Sequence, residues 1–71
     1  MNLVKRSLSL SGHQTSVALE PEFWAVLDAM TEATGETMAA LFRRLDESRG
    51  ERPLASSARV AALEWVSRAN G

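Results

Sequence analysis

Thr15-Ser16-Val17-Ala18-Leu19-Glu20-Pro21-Glu22-Phe23-Trp24 reads as a short strand that runs without a loop into a helix opened by proline. Strand side chains alternate between faces, so Thr15, Val17 and Leu19 share one side, and Gln14, Ser16 and Ala18 the other. Pro21 suits a first helical position, because the N–H it lacks would have had no intrahelical partner and its φ is already helical. A lone strand leaves backbone N–H and C=O groups without partners along both edges. A second strand must come from elsewhere in the chain or from a second copy of it.

Upstream, residues 3–10 alternate in the same way. Val4, Arg6, Leu8 and Leu10 fall on one face, and Lys5, Ser7 and Ser9 on the other. Ser11-Gly12 suits a two-residue turn, a weaker relative of Asn-Gly. Such a turn pairs Leu10 with His13, Leu8 with Thr15, Arg6 with Val17 and Val4 with Leu19. It gathers Lys5, Ser7, Ser9, Gln14, Ser16 and Ala18 on one polar, basic face. A basic arm, or a strand paired with a neighbouring chain, stands as the alternative for residues 3–10.

Downstream, a helix over 21–33 carries Phe23, Val26, Leu27 and Met30 as an apolar stripe, with Trp24 at its edge. Glu20 and Glu22 suit the positive end of its dipole, and Gly35 is placed to end it in a left-handed conformation. A second helix over 37–48 presents Met38, Leu41, Phe42 and Leu45, and Arg43 lies one turn before Glu47 at the spacing of a modest surface ion pair. Residues 48–53 are breakers and charges. A third helix over 55–69 has Leu54, Ala58, Ala61, Ala62 and Trp65 on a broad face, with Val60 and Leu63 elsewhere on the wheel. So wide an apolar surface implies more than one neighbour, a partner subunit included.

Seventy-one residues make a single domain, 1–71, near the size at which one core is marginal, and oligomerisation is the expected remedy. With no cysteine and one histidine, neither a disulfide nor a cysteine zinc site is available, and no metal or cofactor is expected. No apolar run is long enough for a membrane span, and the N-terminal one is too short for a signal peptide; the expectation is a cytoplasmic protein that does not enter membranes. His13 reads as a turn residue, and Trp24 and Trp65 as core or interface aromatics. No nucleophile with a base, metal set or phosphate loop is visible, so no enzyme is expected. Net charge is −1, but residues 1–19 carry Lys5 and Arg6 and no acid, whereas 20–36 carry five acids and no base. A polyanion would approach from the strand side.

The order of strand, acidic helix with proline at its start, glycine turn and second apolar helix makes residues 14–47 resemble the ribbon-helix-helix family, the β-ribbon DNA readers of the MetJ and Arc class. Lys5-Arg6-Ser7, Gly12-His13-Gln14-Thr15-Ser16 and Leu19-Glu20-Pro21-Glu22-Phe23-Trp24 are similar to a small bacterial subgroup of it. The resemblance implies a mainly α fold with a short β-ribbon. The implied assembly is an intertwined homodimer in which strands 14–19 of two chains pair antiparallel across a two-fold axis. The N-terminal strand and the third helix are additions to that plan. A joint core would draw on Val17, Leu19, Phe23, Leu27, Leu41, Phe42, Leu45 and Trp65.

Functionally, the resemblance implies a transcription regulator whose outward strand side chains enter the major groove of double-stranded DNA. Gln14 would bond adenine bidentately, Ser16 would donate or accept, and Ala18 would touch a thymine methyl. Lys5 and Arg6 would meet phosphates, as would the backbone N–H groups around Thr37 and Met38, although Glu36 adds a negative charge there. If residues 3–10 form a hairpin, a strand-paired dimer carries a four-stranded sheet, broader than the ribbon that the groove admits. The alternative function is a protein-interaction or oligomerisation module, an antitoxin-like binder of an unknown protein partner that lacks a competent reading face.

Overall fold

A computed structural model describes residues 2–70, so the first and last positions of the expected 1–71 domain lie outside the described residues. Two strands, β1 (Val4–Leu10) and β2 (His13–Leu19), precede three helices, α1 (Pro21–Thr34), α2 (Met38–Ser48) and α3 (Leu54–Asn70). The strands pair antiparallel in the register that the alternation predicts, from Leu10 opposite His13 to Val4 opposite Leu19. Ser11 and Gly12 turn the chain with φ of 51° and 83°. Positive φ at both positions is the type I′ geometry, whose twist matches that of the flanking strands. The strand at 14–19 therefore finds one backbone partner within its own chain, and its opposite edge faces away from β1.

Helix ends follow from local chemistry. The Glu20 carbonyl accepts from the N–H groups of Phe23 and Trp24 at 3.0 and 3.3 Å, opening α1 directly behind β2. Gly35, with φ of 80°, closes α1 by donating its N–H to the Thr31 carbonyl at 2.8 Å. Thr37 is extended and caps α2, its hydroxyl accepting from the Ala40 N–H at 3.0 Å, so the helix begins one residue later than its pattern suggested.

The inward side of the hairpin, Leu8, Leu10, Val17 and Leu19, closes over Trp24, Leu27, Met30, Leu41, Phe42, Ala58 and Ala62. Helix α2 lies against β1 and α3 against β2, while α1 packs on both other helices. Ala58 and Ala62, one turn apart, are fully buried and let α3 approach closely. Trp24 is not at the edge of this core. It is 2% exposed, its indole N–H donates to the Val4 carbonyl at 2.7 Å, and its ring lies 5.8 Å from that of Phe42. The hairpin covers the flank of α1 that a helical wheel alone leaves at the margin.

Val17, Leu19, Leu27, Leu41 and Phe42 are buried within one chain, Leu19, Leu27 and Phe42 completely. Strand β1 and helix α3 both pack against β2 within the chain. Phe23, Leu45 and Trp65 remain half-buried and pack on the rim of the core, and Leu63 is 63% exposed.

Candidate nucleic-acid interface

The hairpin sorts its side chains by parity. A two-residue turn makes its closing pair, Leu10 and His13, a hydrogen-bonded one, and the pattern alternates from there. Lys5 opposite Ala18, Ser7 opposite Ser16 and Ser9 opposite Gln14 are then the non-hydrogen-bonded pairs, the closer kind. All six point away from the core. Lys5, Ser7, Ser9, Gln14 and Ser16 are exposed and Ala18 is half-buried. The result is a polar surface with one cation, Lys5, at one end.

Lys5 and Arg6 lie on opposite faces of β1. On its own face the Arg6 guanidinium stacks 4.4 Å above the Trp24 ring and forms two hydrogen bonds to the Asp28 carboxylate, at 2.9 and 3.0 Å. The bond to Asp28 raises the Arg6 pKa, and the same bond from Arg6 holds the Asp28 carboxyl below its ordinary range. Arg6 thus fastens the hairpin to α1 and is drawn away from the outer surface. No local pattern pointed to Asp28, which is 22 positions from Arg6.

Two further arginines join elements. Arg59 on α3 bonds Glu20 at 2.9 Å, at the junction of β2 and α1, with its guanidinium 5.6 Å from the Phe23 ring. Glu20 is held below the usual glutamate range first by a backbone hydrogen bond and then by Arg59. It caps α1 without a side-chain cap bond, so its carboxylate serves α3 rather than the first turn of its own helix. Arg44 pairs with Glu36, and the expected pair of Arg43 with Glu47 does not form among the described residues.

The second expected phosphate site is the start of α2. Thr37 is exposed and Met38, the first helical residue, is half-buried. The Thr37 hydroxyl satisfies the Ala40 N–H, while the N–H groups of the first two helical residues have no intrahelical acceptor. Arg44 offsets the charge of Glu36 beside them. Ser7 and Ser9, grouped with the polar face by their alternation but given no role in it, share the outer surface with Gln14 and Ser16.

No helix of the described residues is long and apolar enough to cross a membrane. No curated protein and no solved structure matches the chain. A family model described as "Ribbon-helix-helix domain" matches residues 3–66. That match takes in the hairpin, all of α1 and α2 and most of α3, and the chain belongs to the ribbon-helix-helix family.

Proposed function

We propose that the protein is a DNA-binding transcription regulator whose β-ribbon enters the major groove, acting as a cytoplasmic homodimer on symmetric half-sites. The observation that carries this reading is the outer face of the hairpin, where every side chain is polar or small and the only charge is positive. The major groove admits a two-stranded ribbon and presents a distinct donor and acceptor pattern at each base pair. Gln14 has the bidentate amide that adenine takes, Ser16 bonds in either sense, and Ala18 offers a methyl contact. Lys5 meets a phosphate, and the N–H groups at the start of α2, around Thr37 and Met38, take another. Arg6 has no part in this contact, because Asp28 and Trp24 already engage its guanidinium. Ribbon-helix-helix domains are generally found in DNA-binding regulators or antitoxins, which supports the same reading. The half-buried apolar rim of Phe23, Leu45 and Trp65 supports the dimer.

One observation favours a second reading, a protein-interaction module. A single lysine is a small electrostatic footprint for a DNA reader. Salt separates the two. Fluorescence anisotropy of the whole protein on a random-sequence duplex should show binding that weakens steeply with salt. The slope of log affinity against log salt should shrink by about one in Lys5→Ala. Absence of any affinity at low salt rejects the DNA reading.

A further inference from the structure

We propose that the protein binds a small phosphate monoester in a cleft between the end of α2 and the start of α3, a site that depends on neither duplex binding nor a second chain. The cleft has a volume of about 260 Å³. Its polar lining is Ser48 and Arg49 where α2 ends, Arg52 in the connecting loop, and Ser57 and Glu64 on α3; the rest is apolar, from Leu45, Val60 and Ala61. Ser57 carries the assignment. It lies in the first turn of α3, is 7% exposed, and is the one buried polar residue among those described. Its backbone N–H donates to the Pro53 carbonyl at 3.0 Å. Its hydroxyl makes no hydrogen bond among the described residues, yet no fully sealed side-chain N or O there lacks a partner. The hydroxyl is therefore open to the cleft with its proton unused. Keeping such a group from bulk water unpartnered is costly, and a ligand oxygen relieves that cost.

The two arginines set the charge of the ligand. Arg49 is half-buried, and it donates through Nε to Asp46 at 2.7 Å and through Nη1 to the Arg52 carbonyl at 2.8 Å. Those bonds hold the guanidinium in place and leave Nη2 for a ligand. Arg52 is exposed, and its side chain has no ion-pair partner among the described residues. Pro53 offers no side-chain oxygen to the first N–H groups of α3, so the positive end of that helix dipole adds to the attraction. Three donor groups on three successive segments match the three terminal oxygens of a phosphate monoester, one more than a carboxylate has. The Ser48 hydroxyl spends its proton on the Arg44 and Leu45 carbonyls, at 3.1 and 3.3 Å, so it accepts from a hydroxyl of the ligand body. Glu64 lies seven residues beyond Ser57, about 10 Å along the helix at about 1.5 Å per residue. That is near the screening length, so its charge does not expel the phosphate but disfavours a second anionic group. A cleft below the usual range for drug-sized ligands limits the body to a few carbons.

The test is isothermal titration of the whole protein with glycerol phosphate, with glycerol and succinate as controls. Glycerol phosphate should saturate at one molecule per chain, and neither control should match it. Arg52→Gln should weaken binding by about tenfold and Ser57→Ala by about three- to tenfold. Glu64→Gln should tighten it by about twofold at low salt. Arg68→Gln, an α3 arginine outside the cleft, should leave it unchanged. Thermal unfolding checks that each variant is folded, and should Ser57→Ala not fold, Arg52→Gln at its exposed position decides. No saturable binding at millimolar glycerol phosphate overturns the proposal, as does parental affinity in Arg52→Gln or in folded Ser57→Ala. Equal binding of succinate overturns the phosphate assignment, and an equal loss in Arg68→Gln shows diffuse charge attraction rather than a site.

Discussion

Replacing Arg6 with methionine keeps an unbranched stem over the Trp24 ring and removes the charge. The Arg6 and Asp28 side chains are 37% and 50% exposed, so solvent screens their ion pair to about 1 kcal/mol at most. The guanidinium stacked at 4.4 Å adds about 0.5–1 kcal/mol. Arg6→Met should therefore cost about 1–2 kcal/mol, and Asp28→Asn, which removes only the ion pair, about 0.5–1 kcal/mol. The double variant should be little worse than Arg6→Met alone, giving a coupling of about 0.5–1 kcal/mol in the cycle. In a domain of this size 1 kcal/mol moves Tm by about 4–8 °C, within easy reach of urea or thermal unfolding. The same proteins then go into the anisotropy titration, where the Arg6→Met salt slope should match the parent. A variant with parental stability and a slope reduced by about one would show that Arg6 meets phosphate and that its pairing with Asp28 does not hold in solution.

Acid should loosen the same fastening. The Asp28 and Glu20 carboxyls are held below their ordinary values of 3.8 and 4.5, so the folded state binds their protons less tightly than the unfolded chain does. Their contribution is complete above about pH 5 and is lost as pH falls through the depressed folded values. Urea midpoints measured from pH 7 to pH 3 should fall less steeply in Asp28→Asn than in the parent; parallel curves would contradict the assignment. Val17→Asp and Leu41→Asp each place an unpaired carboxylate in the sealed interior and should cost more than about 4 kcal/mol, leaving no cooperative transition in far-UV circular dichroism. Unfolding within about 1 kcal/mol of the parent for either variant would show that these positions are not buried as described.

The hairpin was legible because two period-two patterns and a turn agreed on one register, and register is strongly specified when one face must be buried. The same agreement places Lys5, Gln14 and Ser16 outward. Helix α1 was legible from Pro21 at its start and Gly35 at its end. The long-range fastenings were not. Arg6 finds Asp28 across 22 positions and Arg59 finds Glu20 across 39, and no periodicity within an element reports which neighbour packs against it. Trp24 was set at a margin for the same reason, since only the position of the hairpin makes that flank of α1 interior. Strand β1 and helix α3, which the family resemblance treats as additions to the fold, pair with β2 and help enclose Val17 and Leu19 within one chain.

The buried indole of Trp24 has a practical consequence. Its N–H is tied to the first residue of β1 and its ring sits beneath Arg6, whereas Trp65 lies half-exposed on α3. The protein therefore carries two intrinsic fluorophores in unlike surroundings, one beneath the ribbon and one on the helical layer. With Trp65 changed to phenylalanine, the remaining emission should shift to the red only when the ribbon lifts from α1, so the chain reports on its own reading element without an attached dye.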